Sequence, residues 1–281
     1  MSTIHDLLKP QTYRFIDQSN LGPGFSALQS FAMDDALSIS VGERMSPTTA
    51  RLWVHHNTIV LGIPDARLPY IQDGINFLKS QGYEVIVRNS GGLAVVLDEG
   101  VLNLSFIFPD SKQVNIHDGY DAMVTFIQYL FEDLTDQIKA YEITQSYCPG
   151  TYDLSIDGRK FAGISQRRVK NGSAVQIYLD VSGSGRERAA LLKRFYEIGK
   201  REQDTRFTYP AIDPSVMASL NELLGVHLTV AEVRDRILIK IHELSDQIVT
   251  APLEGEEIEW FNKRFEQMIK RNEKALENLE E

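Results

Sequence analysis

The sequence predicts an α+β domain, a mainly antiparallel sheet flanked by helices, and three observations carry that reading. Short runs rich in β-branched and aromatic residues recur through the first two thirds of the chain, the composition of pleated, half-buried strands. Asp157-Gly158 stands among apolar residues, with Leu154 and Ile156 before it and Phe161 and Ile164 after it. That is the signal for a hairpin closed by a two-residue turn whose central residues take positive φ. Other segments repeat their apolar residues every three or four positions, the spacing of one helix face. Strands and helices are interspersed, and helices close the chain, an order that favours helices packed beside an antiparallel sheet.

Taken in order, residues 1–25 carry Pro10, Gly22, Pro23 and Gly24 with no clean period and read as an irregular N-terminal arm. A helix is expected from Ser26, with Leu28, Phe31, Ala32, Leu37 and Ile39 inward and Asp34-Asp35 on its polar side. Strands follow over 51–56 and 58–62, and then a helix over 64–80 with Gly82 just past its end, where a left-handed cap suits glycine. Residues 83–88 form a strand that enters a Gly91-Gly92 loop, and further strands are expected after it and over 103–108. The clearest helix carries Met123, Phe126, Ile127, Leu130 and Leu134 as one stripe, with Asp118 placed to cap its start. After the hairpin come a strand over 174–181 and a helix over 186–200. Thr229 and Glu232 have capping-box spacing for a helix carrying Val233, Ile237 and Ile241. The organisation is an arm over 1–25, a domain over 26–248, and a helical extension over 249–281 whose Phe261, Phe265 and Met268 share a face.

Composition narrows the function. The 281 residues are 43% apolar and 24% charged, ordinary for a soluble domain with a sizeable core. A net charge of −10 argues against non-specific nucleic-acid binding, which needs a basic face. No apolar run reaches membrane-spanning length, and the start shows no secretory signal. A single cysteine fits a reducing compartment, and the expected location is cytoplasmic. The six histidines show no metal-ligand spacing beyond the adjacent His55-His56 pair, which reads as a strand-rim pair satisfied by local bonds.

The candidate chemistry centres on Cys148. A free cysteine is commonly a small buried hydrophobe. Here Pro149-Gly150 follows at once, which places it on a loop at a strand mouth. A free thiol titrates near about 8.5, and a nearby cation favours the thiolate. Lys160 is a candidate for that cation, with a geometric condition. In a two-residue hairpin Lys160 pairs across from Ser155, so it meets Cys148 only if the loop before Thr151 folds back over the sheet. The Ser90-Gly91-Gly92 loop is either a plain turn or a place where backbone amides approach a ligand closely. Arg88 and Asp98 flank it as a partner pair or as ligand contacts. Arg159, Lys160, Arg167, Arg168 and Lys170 make a local basic cluster, either a solvated face or a docking patch for an acidic partner.

Two motifs, V-R-N-S-G-G-L-A-V-V-L-D-E-G and C-P-G-T-Y-D-L-S-I-D-G-R-K-F-A-G, together resemble the family of biotin ligases, lipoate ligases and octanoyltransferases over roughly 27–244. The sole cysteine ahead of the hairpin, followed by G-I-S-Q-R-R, is most similar to the octanoyl amidotransferase branch from Gram-positive bacteria. The resemblance implies a biotin/lipoate ligase-like catalytic domain. It implies that Cys148 is the acyl-thioester nucleophile and that Lys160 is the family lysine that holds the acyl carbonyl and favours the thiolate. Arg88, Ser90, Gly91, Gly92 and Ala94 would line an acyl tunnel, Asp98 and Gly100 would lie on the strand behind it, and Asp153 and Gly163 would sit beside the lysine. Lipoate ligases carry a second arginine and a third glycine where this chain has Asn89 and Leu93, and their accessory domain is not evident, which weakens an ATP-dependent reading.

The implied reaction moves an octanoyl group from the octanoylated H protein of the glycine cleavage system to a lysine of the apo lipoyl domains of 2-oxoacid dehydrogenase complexes. One amide replaces another, so no ATP and no cofactor are required. Rival readings in the same fold are an octanoyl transferase fed by acyl carrier protein and an ATP-dependent lipoate ligase. A protein that only binds acylated carriers is the non-enzymatic rival.

Overall fold

The computed structural model describes residues 4–109 and 112–276. A 3-10 turn at Asp6–Leu8 leads to strand β1 (Thr12–Gln18), helix α1 (Ala27–Gly42), β2 (Thr49–Trp53) and β3 (Thr58–Leu61). Then come α2 (Ile71–Ser80), β4 (Glu84–Val87), β5 (Val95–Leu97), β6 (Val101–Phe108) and α3 (Ile116–Leu130). The central strands are β7 (Lys139–Ala140), β8 (Leu154–Ile156), β9 (Arg159–Val169) and β10 (Gly172–Asp180). The chain continues through α4 (Gly185–Lys200), α5 (Leu220–Leu224), α6 (Val230–Glu243), β11 (Gln247–Val249) and α7 (Glu256–Leu276).

The strands form an eight-stranded sheet, ordered β11-β1-β2-β6-β10-β9-β8-β7, and a three-stranded sheet, β4-β3-β5. Pairing is parallel at β11-β1-β2 and β3-β4 and antiparallel elsewhere, so the mainly antiparallel expectation holds. Period-two alternation divides the large sheet into two faces. Leu102, Leu104 and Phe106 of β6, with Val175, Ile177 and Leu179 of β10, pack with Phe126 and Ile127 of α3 and Ile237 and Ile241 of α6. The intervening Ser105 and Gln176 turn to the opposite face, where both bond to Asp34 of α1.

That opposite face corrects the reading of α1. Asp34 and Asp35 lie inside the protein rather than on a solvated side, at 1% and 2% exposure. Asp34 accepts from Arg51 at 2.8 Å, Ser105 at 2.7 Å and Gln176 at 2.6 Å. Asp35 pairs with Arg167 at 2.5 Å and accepts from Asn89. The helix packs between the large sheet and α7, so nearly every position is buried and no single apolar stripe is needed. Buried carboxylates persist there because each is paired and hydrogen-bonded.

Two further expectations change. The N-terminal arm is not irregular: Thr12–Gln18 pairs with both β2 and β11. Tyr13 and Phe15 enter the core, while Arg14 is buried against Glu257 of α7 at 2.7 Å. Asp118 does not cap α3; Asn115 does, and Asp118 reaches back to the Asn115 amide as the other half of a capping box. The Ser26 and Thr229 helix starts are both capping boxes. Among the described residues no helix is long and apolar enough to cross a membrane.

Candidate active site

The hairpin forms as the Asp-Gly signal requires. Asp157 and Gly158 have φ of 49° and 74°, and Ser155 pairs with Lys160. The loop before it folds back, and Asp153 is what holds it there. Asp153 accepts from the amides of Ile143 at 3.2 Å and Gly150 at 3.1 Å, and its own amide donates to the Gly150 carbonyl. Its Oδ1 pairs with Lys160 Nζ at 2.9 Å. Burial pushes the Asp153 carboxyl above the usual range, with Lys160 opposing the shift.

Lys160 is fully buried, and it meets the cysteine loop through the backbone. Its ammonium donates to the carbonyls of Cys148 at 2.8 Å and Tyr147 at 2.9 Å, beside Asp153 and the Ser146 hydroxyl at 3.2 Å. The rings of Tyr147 and Tyr178 flank it at 5.8 and 6.0 Å. A lysine has three N–H donors, and these four acceptors engage all of them. With its carbonyl held, Cys148 takes φ of 45°, an uncommon conformation for a residue with a side chain.

The sulfur instead meets the other predicted loop. The Leu93 amide donates to Cys148 Sγ at 3.1 Å, and Arg88 Nη2 lies 3.4 Å from it. Arg88 also donates to the Leu93 carbonyl at 2.7 Å, closing the loop on itself. Gly92 explains why this loop is glycine-rich. Its φ is +100°, and a Cβ there would come within 2.3 Å of Arg88 Nη2 and 3.0 Å of Sγ. Gly163 is constrained by the neighbouring Tyr178 ring, which a Cβ would meet at 2.8 Å.

A cavity of about 390 Å³ opens where the loops converge. Phe31, Trp53, Val95 and Leu97 give it a buried apolar interior. At the rim, Tyr120 stacks on Tyr152 with centroids 4.6 Å apart, and the Tyr152 hydroxyl meets His117 Nδ1 at 3.0 Å. Of the residues singled out in the sequence, Cys148, Arg88, Gly91, Gly92, Asp153 and Gly163 line this cavity. Lys160 stands behind its wall, as do Ser90 and Ala94, which are buried. Ala94 donates its amide to Tyr196. Asp98 is elsewhere: it pairs with Arg188 at 2.6 Å, and the partnership with Arg88 is not formed. Arg188 also meets Asp180, whose carboxyl burial pushes up to about 7.

Of the basic cluster, Lys160 is buried and Arg167 is committed to Asp35 and the Asn89 carbonyl, while Arg159, Arg168 and Lys170 are exposed, Arg168 donating to the Val114 carbonyl. His55 is buried between Ser30 and the Phe25 carbonyl, and burial together with Arg51 holds it down at about 4; His56 pairs with Glu99. Among the described residues no group of three or more His, Cys, Asp or Glu is placed to hold a metal ion.

Sequence reasoning offered the Ser90-Gly91-Gly92 loop as a source of backbone amides but missed that the Leu93 amide meets the Cys148 sulfur, because that bond joins residues 55 positions apart. It also missed the buried Asp65 behind the loop, which takes the Gly62 amide at 2.7 Å and the Tyr196 hydroxyl at 2.9 Å. Burial pushes the Asp65 carboxyl up to about 6.

Comparison with known proteins places these loops in context. Residues 26–242 match the model of the lipoyl protein ligase A/B catalytic domain. An octanoyl-[GcvH]:protein N-octanoyltransferase of Oceanobacillus iheyensis is 57% identical over 277 residues, 97% of this chain and 99% of its own length. A lipoyl-[GcvH]:protein N-lipoyltransferase of Listeria monocytogenes is 47% identical over 277 residues, 98% of this chain and all of its own. Among solved structures, lipoate-protein ligase A bound with ATP superposes with a TM-score of 0.72 at 17% identity, covering 94% of this chain and 98% of that one. A bipartite lipoate protein ligase from Thermoplasma acidophilum gives 0.66 at 17% identity, covering 97% and 98%. At that identity the structural likeness speaks for the fold alone.

Proposed function

Because the chain belongs to the lipoyl protein ligase A/B catalytic domain family, we propose that it is an acyltransferase that moves an octanoyl group from the glycine cleavage H protein to lysines of apo lipoyl domains, through a thioester on Cys148. Relatives named octanoyl-[GcvH]:protein N-octanoyltransferase, 47–57% identical together with the lipoyl-transferring one and matching end to end, support the reaction class and the donor. The observation that carries the cysteine assignment is the sulfur itself. It lines an apolar cavity and is held by the Leu93 amide and the Arg88 guanidinium, donors that favour negative charge on sulfur. The reading places the protein in the cytoplasm, where a lone thiol stays reduced.

In the first half-reaction Sγ adds to the amide carbon of octanoyl-lysine on the donor. The S–C bond forms, the C–N bond breaks, and the proton released by the thiol ends on the departing lysine amine. In the second, a neutral lysine of the acceptor attacks the thioester carbon, the C–S bond breaks, and the thiol is regenerated. Each step is simpler than direct exchange between two amides. Charge builds on the carbonyl oxygen in both, and the Leu93 N–H and Arg88 are the donors at hand to receive it. The apolar interior suits the alkyl chain, at about 0.8 kcal/mol for each CH₂ buried.

Mixing the protein with octanoyl-H protein and digesting it should yield a hydroxylamine-sensitive octanoyl adduct on the peptide carrying Cys148. Cys148→Ala should give no adduct and no acceptor labelling. Labelling that appears only with octanoyl-acyl carrier protein would overturn the donor. Labelling by Cys148→Ala with free lipoate and ATP would overturn the thioester.

A further inference from the structure

We propose that Asn272 and Tyr196 are positioning residues for Cys148: they clamp the two ends of the 88–94 loop and thereby fix the two donors that hold the sulfur. The inference rests on the reading of Cys148 as the acyl carrier.

At the first end, β4 is the edge of the small sheet, and the outward backbone groups of an edge strand need a partner when they are buried. Asn272 of α7 supplies it for Val87, 185 positions away. Its Oδ1 accepts from the Val87 amide at 2.7 Å, and its Nδ2 donates to the Val87 carbonyl at 3.0 Å and to the Met268 carbonyl at 2.9 Å. One carboxamide therefore stands in for a missing strand, and it is itself only 8% exposed. The next residue is Arg88, whose amide is fixed to the Leu61 carbonyl at 2.9 Å.

At the second end, the Tyr196 hydroxyl of α4 accepts from the Ala94 amide at 3.2 Å and donates to Asp65 at 2.9 Å. Asp65 in turn holds Gly62, which lies so close under Gly92 that a Cβ on it would come within 1.9 Å of the Gly92 carbonyl oxygen. The residue before Ala94 is Leu93, whose amide meets the sulfur. Each donor on Sγ thus sits one residue inside a clamp. One clamp comes from α7, which lies beyond the 26–242 region matched by the family model.

The test exploits the single cysteine, since iodoacetamide then reports on Cys148 alone. Alkylation rate is followed against pH in the free protein, with octanoyl transfer measured in parallel. Asn272→Asp keeps the shape but turns a second oxygen toward two carbonyls, and Tyr196→Phe removes one hydroxyl. Both should shift the alkylation profile to higher pH and slow alkylation at neutral pH by about threefold to tenfold, the effect of weakening one charge-assisted hydrogen bond. Phe265→Ala, which trims the packing of α7 and leaves the Asn272 carboxamide intact, controls for stability and should leave the profile in place. Profiles of the two clamp variants that coincide with wild type, or that move no more than Phe265→Ala at matched thermal midpoint, overturn the proposal. If wild type fails to transfer octanoyl while the profiles still shift, the reaction is wrong and the clamps stand.

Discussion

On one side of the Cys148 loop stands Lys160, and on the other Arg88; both are buried cations, and they do different work. Lys160 gives its hydrogens to two carbonyls, a carboxylate and a hydroxyl, and none to the sulfur. Arg88 touches the sulfur and the loop that delivers the Leu93 amide. The cysteine side of the site therefore uses charge to hold a backbone in an unfavourable φ, and the glycine side uses it to face the sulfur. A lysine close to a cysteine in the chain need not bond its sulfur; here Lys160 bonds the backbone of the loop that carries Cys148.

The largest way to break that comparison is Lys160→Met. It leaves Asp153 buried without its cation, a loss of about 3–5 kcal/mol for a buried pair missing one partner. Thermal or urea unfolding should show the loss, and transfer should fall with it as the Tyr147 and Cys148 carbonyls come free. If Lys160→Met unfolds like wild type yet no longer transfers, Lys160 acts on the chemistry and the division of labour is wrong.

Gly92→Ala probes the other side with a smaller effect on stability. The positive φ disfavours alanine by roughly 1–3 kcal/mol. The new Cβ also displaces Arg88 from the sulfur, and a misplacement of about 1 Å near reacting atoms lowers rates by roughly 10²-fold. Transfer should thus fall out of proportion to stability, the reverse of Lys160→Met. Equal losses in both assays would erase the contrast.

How far the sequence reaches follows the same division. The hairpin was legible because Asp-Gly chemistry is local: it placed Lys160 on β9 opposite Ser155, and the structure keeps that register. The fold-back of the cysteine loop was not, because it depends on Asp153 bonding to residues on both flanks of its own loop. Gly91-Gly92 was visible as a motif, but the crowding that demands Gly92 comes from Arg88 and from Cys148, which is 56 positions on by residue number. Asp34 and Asp35 misled because polarity usually marks a solvated face, and only their long-range partners Arg51 and Arg167 make burial tolerable. The strand at Thr12–Gln18 has Pro10 before it and Gly22-Pro23-Gly24 after it but no clean apolar period of its own; its partners β2 and β11 define it.

The smallest effect lies behind the glycine side, at Asp65. Its folded value of about 6 lies above the ordinary 3.8, so the folded state binds more protons than the unfolded chain between those values. Stability linked to this group is therefore greatest below about 3.8 and is lost as pH rises toward 6, with a slope of at most about 1.4 kcal/mol per pH unit for one proton. Asp153 and Asp180 are shifted in the same direction, so the raw profile is a sum, and the informative quantity is the difference between wild type and Asp65→Asn. Subtracting urea-unfolding free energies measured from pH 4 to 7 should isolate the Asp65 slope and leave a flat line above about 6. A difference that is flat throughout would mean that Asp65 is ionised in both states, and the Tyr196 hydroxyl would then lean on a full negative charge at every pH. The glycine side would in that case hold its loop with charge, as the cysteine side does.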